Sequence, residues 1–192
     1  MYLIRGQHNL KLFKSRHPNV LLSGTIGNFD GLHLGHQAIL EKIKNNAQKY
    51  NAKTIVFFTE PHAAEYFSKV RDKNQIPPPR ICPWREKFQL LKKSKIDFAC
   101  FLKFNSKLRT MSPDDFISQI LDSINLVSFT VGDDFRFGAG RKGDTDLLKN
   151  WGEKKGILVE NTETITLDGQ RVSSTRIREE LLNNNFNNAE KL

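Results

Sequence analysis

Apolar residues along the chain fall into two alternating patterns, short continuous runs and longer stretches of helical period. Val20–Ile26 and Lys53–Phe58 have the length and the β-branched and aromatic content of strands covered on both faces. Residues 96–104, 127–132 and 156–160 read the same way. Between these runs, Leu34, Ala38, Ile39, Ile43 and Ala47 recur at helical spacing, with Glu41, Lys42, Lys44 and Lys49 on the solvated side. Trp84, Phe88 and Leu91 mark a second helix over 84–93, and Leu147, Leu148 and Trp151 another over 146–155. Ser112 followed by Pro113, Asp114 and Asp115 predicts a capped helix running to about residue 123. Strands alternating with helices imply an α/β domain whose mostly parallel sheet has about five strands.

Turn chemistry fills the gaps. Residues 1–12 read as a short edge strand and 15–19 as a loop, while 70–83, with three consecutive prolines at 77–79, reads as a mobile loop. Residues 164–172 alternate around Asp168-Gly169, a strong hairpin signal.

Two helix openings carry candidate chemistry. After the first buried strand, Gly27, Asn28, Phe29, Asp30, Gly31, Leu32, His33, Leu34, Gly35 and His36 lead directly into a helix. Free N–H groups and the positive end of the macrodipole make such a helix start attractive to anions. Gly31 and Gly35 allow close approach, and His33 and His36, three apart, share one face. Zinc binding by this pair lacks a third ligand of suitable kind and spacing nearby. The second opening is Arg171, Val172, Ser173, Ser174, Thr175, Arg176, Ile177 and Arg178, where hydroxyls cap a helix and Arg178 lies three after Thr175 and four after Ser174.

A third stretch, Val131 to Asp144, holds Gly132, Asp134, Phe135, Phe137 and the glycines 138, 140 and 143. The glycine spacing matches a dinucleotide fingerprint, with Glu160 and Glu163 as candidate ribose acids. Five residues separate the strand from the first of those glycines, so the fingerprint is discounted in favour of a loop suited to a flat ring carrying a phosphate.

Composition narrows the partners. The 192 residues suffice for one ordinary domain, with 38% hydrophobic residues and 14 Phe to fill its core. A formal charge of +9 favours anionic ligands: nucleotides, nucleic acid or a membrane surface. The basic residues are spread over many helices without the interleaved aromatics of a stacking platform, which argues against nucleic acid. Cys82 and Cys100 fit two reduced thiols of a cytoplasmic protein, and no signal peptide or membrane-spanning run is visible.

The segment from Gly27 to His36 resembles the HxGH motif of the nucleotidyltransferase superfamily, in the version found in bacterial bifunctional riboflavin kinase/FMN adenylyltransferases. Residues 171–178 are similar to that family's RxSSTxxR signature, 131–144 to its flavin-side motif, and 59–67 to its Pro-His loop, although Phe58-Thr59 reverses the expected order and Ala63 replaces a second proline. The resemblance covers nearly all of the chain. It implies a Rossmann-like fold that transfers AMP from ATP to FMN, giving FAD and pyrophosphate, with Mg²⁺ bound through the ATP phosphates. In it, His33 and His36 take the ATP phosphates, while Ser173, Ser174, Thr175 and Arg178 close on the leaving pyrophosphate. Gly27, Asn28, Phe29, Asp30, Gly31, Gly35 and Arg171 line the nucleotide side, and Pro61, Asn105, Gly132, Asp134, Phe135 and Phe137 the flavin side; no protein metal site is expected. Asp30 either orients its turn or holds a metal-bound water. The family's riboflavin kinase module would follow residue 192 on a native chain. The rivals are a related nucleotidyltransferase with another phosphorylated acceptor, a basic nucleic-acid-binding module and an NAD-dependent oxidoreductase.

Overall fold

The computed structural model describes residues 1–71 and 76–192. Its centre is a six-stranded sheet in which every neighbouring pair is parallel. The strands are β1 (Tyr2–Arg5), β2 (Leu22–Ile26), β3 (Lys53–Glu60), β4 (Phe98–Lys103), β5 (Leu126–Gly132) and β6 (Leu158–Thr162), arranged in the order β1-β4-β3-β2-β5-β6. The sheet has one strand more than the chain's apolar runs suggested. β1 is a true edge strand but only four residues long.

Parallel neighbours require crossovers, and helices supply them. They are α1 (Gly6–Arg16), α2 (Leu34–Lys49), α3 (Ala63–Arg71), α4 (Trp84–Lys93), α5 (Ser106–Thr110), α6 (Pro113–Phe116) and α7 (Thr145–Lys155), with α8 (Ser174–Leu182) and α9 (Phe186–Lys191) following the hairpin of β7 (Thr166–Leu167) and β8 (Gln170–Arg171). α2 and α4 lie over the predicted spans. At α6 the Ser112 hydroxyl accepts from the Asp115 N–H at 3.0 Å, the predicted cap, and the helix runs on as a π-turn over Ile117–Leu121. The edge strand expected over 1–12 ends at Arg5; residues 6–16 form α1 instead, burying Leu10 and Phe13, and the expected loop at 15–19 begins only after Arg16. The hairpin turns at Asp168 (φ 54°) and Gly169 (φ 73°), the positive-φ pair its sequence calls for.

Strand side chains alternate between two cores. Leu22, Ile55, Phe57, Cys100, Leu102, Phe129 and Val131 pack on one face with residues of α1 and α7 and the Phe116–Leu121 stretch. Val56, Phe58, Ala99 and Phe101 pack on the other with Ile39, Leu40 and Ile43 of α2 and Leu91 of α4. The result is a three-layer α/β/α domain. No helix of the described residues is long and apolar enough to cross a membrane.

The strand order fixes where a ligand can sit. From β2 the chain moves outward through β3 and β4, then returns to the other side of β2 to lay down β5 and β6. In open α/β sheets such a reversal leaves a crevice beyond the carboxyl ends of the strands, here beside the loop from Gly27 to His33.

Candidate active site

The loop between β2 and α2 is held in a demanding conformation. Phe29 (φ 48°), Gly31 (φ 83°) and Leu32 (φ 47°) all have positive φ, a concentration of unfavourable backbone that persists only when its surroundings enforce it. Phe29 is wholly buried and anchors the loop in the core. A Cβ at Gly31 would lie 3.1 Å from Ile81 Cγ2, and one at Gly35 would lie 3.2 Å from the His33 ring. At these two positions an added side chain would press on its neighbours, and at Gly31 it would also have to adopt the left-handed backbone.

His33 is the N-cap of α2, its Nδ1 accepting from the His36 N–H at 3.3 Å. That bond leaves the proton of the neutral ring on Nε2. The two imidazoles stack at 3.7 Å between centroids, and the Phe29 ring lies 4.9 Å from that of His36. Burial, then the nearby Arg171 charge, lowers the His33 pKa to about 4. Burial, followed by the His33 and Lys87 charges, holds His36 well below its ordinary value. Both rings are therefore neutral near pH 7, and each offers one N–H rather than a full positive charge. The His36 Nδ1 is buried and has no partner.

Asp30 holds its turn through both its carboxylate and its carbonyl. One carboxylate oxygen accepts from the Cys82 N–H at 2.9 Å, and the other from the Ile81 N–H at 3.2 Å and from Arg178 Nη2. Its carbonyl accepts from the Ser174 hydroxyl at 2.9 Å. One residue thus ties the first helix opening to the second and to residues 79–82. Arg178 Nε also donates to the Pro79 carbonyl at 2.7 Å. The stretch expected to be mobile is anchored at 79–82, whereas residues 72–75 lie outside the described ones.

The two helix starts, more than 130 residues apart in sequence, are neighbours. Leu34 packs with Val172 and Ile177, and the Leu34 N–H donates to the Leu192 carbonyl at 2.7 Å. Ser173 caps α8, accepting from the Arg176 N–H at 3.2 Å, while Arg176 itself holds the hairpin through the Leu167 and Gln170 carbonyls. Between the openings lies a cleft of about 280 Å³ lined by Asn28, Asp30, Ser174, Thr175 and Arg178 from the expected set. Thr59, Glu60, His62, Glu65, Arg80 and Lys87 line it as well.

The remaining expected residues, His33, His36 and Ser173 among them, are not part of its lining. Arg171 pairs with Asp134 at 2.6 Å beyond the end of β5, and the Phe135 N–H donates to the Gly132 carbonyl at 3.1 Å. Phe135 and Phe137 stack at 5.7 Å, but Phe137 is buried against Phe116, leaving Phe135 the more accessible ring. Asn105 spends its side-chain oxygen capping α5, accepting from the Leu108 N–H at 3.0 Å. Pro61 follows β3, and the Gly27 N–H donates to the Phe57 carbonyl at 3.1 Å. The loop glycines at 138, 140 and 143 all precede Asp144, the N-cap of α7, and none lies in that helix; residues 137 and 143 form an isolated antiparallel bridge, and Glu160 binds Lys42 and Asn46.

Arg80 and Lys87 were not singled out by the sequence. Arg80 binds Glu60 (2.7 Å) and Glu65, which raises its pKa still further above the ordinary guanidinium value. The signal for Lys87 was present but easily missed. It lies three after Trp84 and four before Leu91, a cation on the apolar face of α4.

The FAD synthetase family model matches residues 15–176 of the chain. The chain belongs to the FAD synthetase family. It is 39% identical over 193 residues to the bifunctional riboflavin kinase/FMN adenylyltransferase of Escherichia coli K12, covering 100% of this chain and 59% of the relative. The namesake from Haemophilus influenzae is 38% identical over 196 residues, again covering 100% of this chain and 59% of the relative. That of Buchnera aphidicola from Acyrthosiphon pisum is 38% identical over 187 residues, or 97% and 56%. The chain therefore spans somewhat over half the length of these relatives. Among solved structures, a protein described as a macrolide-efflux protein from Streptococcus pneumoniae superposes with a TM-score of 0.82 at 22% identity, covering 100% of this chain and 70% of that one. The pantoate-beta-alanine ligase of Francisella tularensis gives 0.57 at 14% identity, with coverage of 98% and 86%. Both likenesses concern the fold alone.

Proposed function

We propose that this domain transfers AMP from ATP to FMN, forming FAD and pyrophosphate. One observation carries the reading: the loop that leads into the HxGH-type opening, through Asn28 and Asp30, and the RxSSTxxR-type opening, through Ser174, Thr175 and Arg178, line one cleft and are joined through Asp30. A triphosphate needs donors from two sides, and these helix starts supply them. The family names of the relatives select FMN as the acceptor.

An oxygen of the FMN phosphate attacks the α-phosphorus of ATP in line, and the bond from that phosphorus to the β-bridging oxygen breaks. The electron pair leaves with pyrophosphate, so no proton needs to move. Such a transfer asks the protein mainly for alignment and charge stabilisation. In this assignment the neutral His33 and His36 donate to the α- and β-phosphates, supported by the free N–H groups of α2. Thr175 and Arg178 close on the pyrophosphate, with Ser173 and Ser174 shaping the turn that presents them. Phe135, the Pro61 loop and Asn105 border the flavin.

Mg²⁺ fits as an ion carried in on the ATP phosphates, where it would neutralise negative charge. The nearby carboxylates are already engaged, Glu60 and Glu65 by Arg80 and Asp30 by Arg178. Among the described residues no group of three His, Cys, Asp or Glu is placed to hold a metal. The buried free thiols Cys82 and Cys100 suit the reducing cytoplasm. Adenylyl transfer is the half of the relatives' double name that we assign to these residues.

Fluorescence titration tests the acceptor. FMN emission is quenched as the domain is added, whereas pantetheine phosphate and nicotinamide mononucleotide do not compete with it. Unquenched FMN, with either competitor bound, would transfer the site to another nucleotidyltransferase class.

A further inference from the structure

The cleft contains three cations, and two are neutralised within the protein. Arg80 is held by Glu60 and Glu65, and Arg178 by Asp30. The third, Lys87, forms no ion pair with any described residue, although only 5% of its surface is exposed. Its Nζ donates to the Asn28 carbonyl at 2.5 Å and lies 5.2 Å from the centre of the Phe58 ring. An ammonium has three donors, and a carbonyl and a ring face do not balance its charge. Lys87 also occupies the fourth position of α4, near the positive end of the helix dipole, where a cation is disfavoured. Burial lowers its pKa, and the Asp30 carboxylate, already bound by Arg178, offsets this only in part. A site that holds a desolvated, unpaired cation at the wrong end of a helix is built for an anion that comes from outside.

The neighbours of Lys87 say which anion. Lys87 lies against Phe58 of β3, the strand that runs on through Thr59 and Glu60 to Pro61 and His62, and it lines the cleft together with Thr59, Glu60 and His62. It therefore stands on the side of the Pro61 loop, which the reading gives to the acceptor. We infer that Lys87 binds the terminal phosphate of the acceptor, next to the α-phosphorus it attacks, and that this ammonium is what makes the acceptor site select a phosphate monoester over the free alcohol. The inference rests on the adenylyltransferase reading. In the transfer the lysine keeps its protons. It holds the attacking phosphate oxygens against the repulsion of the ATP phosphates, and it stays bound to the same phosphate when that becomes part of the new diphosphate.

The test compares FMN with riboflavin, which differ only in the phosphate, by fluorescence titration of this chain and of Lys87→Met. Wild type binds FMN more tightly than riboflavin. Lys87→Met loses about 10- to 100-fold of FMN affinity, the range expected for a charge-assisted hydrogen bond, and keeps its riboflavin affinity. Removing a buried unpaired charge also leaves its Tm no lower than wild type. Lys87→Gln, which retains a donor for Asn28 but no charge, repeats the loss and serves if the methionine variant does not fold. A Lys87 variant that still prefers FMN as wild type does, or one in which only the KM for ATP rises, overturns the inference while the adenylyltransferase reading stands. A wild-type chain that does not discriminate FMN from riboflavin removes both.

Discussion

At the scale of single residues, the two histidines of the proposed site are neutral where charge would be expected. His33 and His36 stack at 3.7 Å beneath an electropositive helix start, so a proton on either ring is penalised twice, by desolvation and by its neighbours. Donation from a preorganised neutral N–H costs no desolvation when the triphosphate arrives. Loss of one such donor costs about 10²- to 10³-fold in kcat in acyl transfer, and His36→Ala should reduce FAD formation by a similar factor. Wild-type turnover in that variant would remove the histidines from the chemistry. The same rings couple stability to pH. The folded pKa of His33, about 4, lies below its unfolded value of 6.5, so between these limits the unfolded chain binds more protons. Stability is fully present above 6.5 and falls as pH drops toward 4, with His36 and His62 shifted in the same direction. Urea midpoints should therefore fall from pH 7 to pH 5, and a flat profile would contradict the burial of these rings. At this scale the sequence reveals residue types but not their partners. The histidine pair and the hydroxyl cap could be read from their spacing, whereas the Asp30–Arg178 contact joins positions 148 apart.

Elements were legible where periodicity and capping agreed. α2 begins where the glycines end, and the Ser112 cap and the Asp168-Gly169 turn use the chemistry their residues favour. α1 was hidden because Leu10 and Phe13 are its only buried side chains in a stretch rich in Lys, Arg and His. Lys87 was hidden for the opposite reason, because a lysine on an apolar face looks like noise until the cleft beside it is seen. The β2–α2 loop is the element most exposed to mutation, since three of its residues have positive φ. Gly31→Ala would add a Cβ against Ile81 and force a side chain into a left-handed conformation. A loss of about 1–2 kcal/mol follows from strain alone. It should appear as a lower urea midpoint together with weaker ATP binding, because Ile81 is one of the residues that Asp30 holds. A neutral Gly31→Ala would mean that the loop is not enforced by its surroundings.

For the molecule as a whole, the order β1-β4-β3-β2-β5-β6 turns a list of motifs into a site. All six strands of this sheet are parallel, so every loop after one of them emerges on one edge, and the reversal at β2 brings the Gly27–His33 loop to the crevice. The alternation of strands and helices predicts this class of fold. What it leaves open is which strands are neighbours, and hence whether residues 33–36 and 173–178 could share a ligand. The resemblance of the two motifs to one family supplied that expectation, and the packing of Leu34 with Val172 and Ile177 agrees with it. The central claim is that this cleft joins AMP to FMN. Incubating the chain with ATP, Mg²⁺ and FMN and separating the products by HPLC should yield FAD and pyrophosphate in equal amounts. Consumption of neither substrate, or AMP released without FAD, would contradict it.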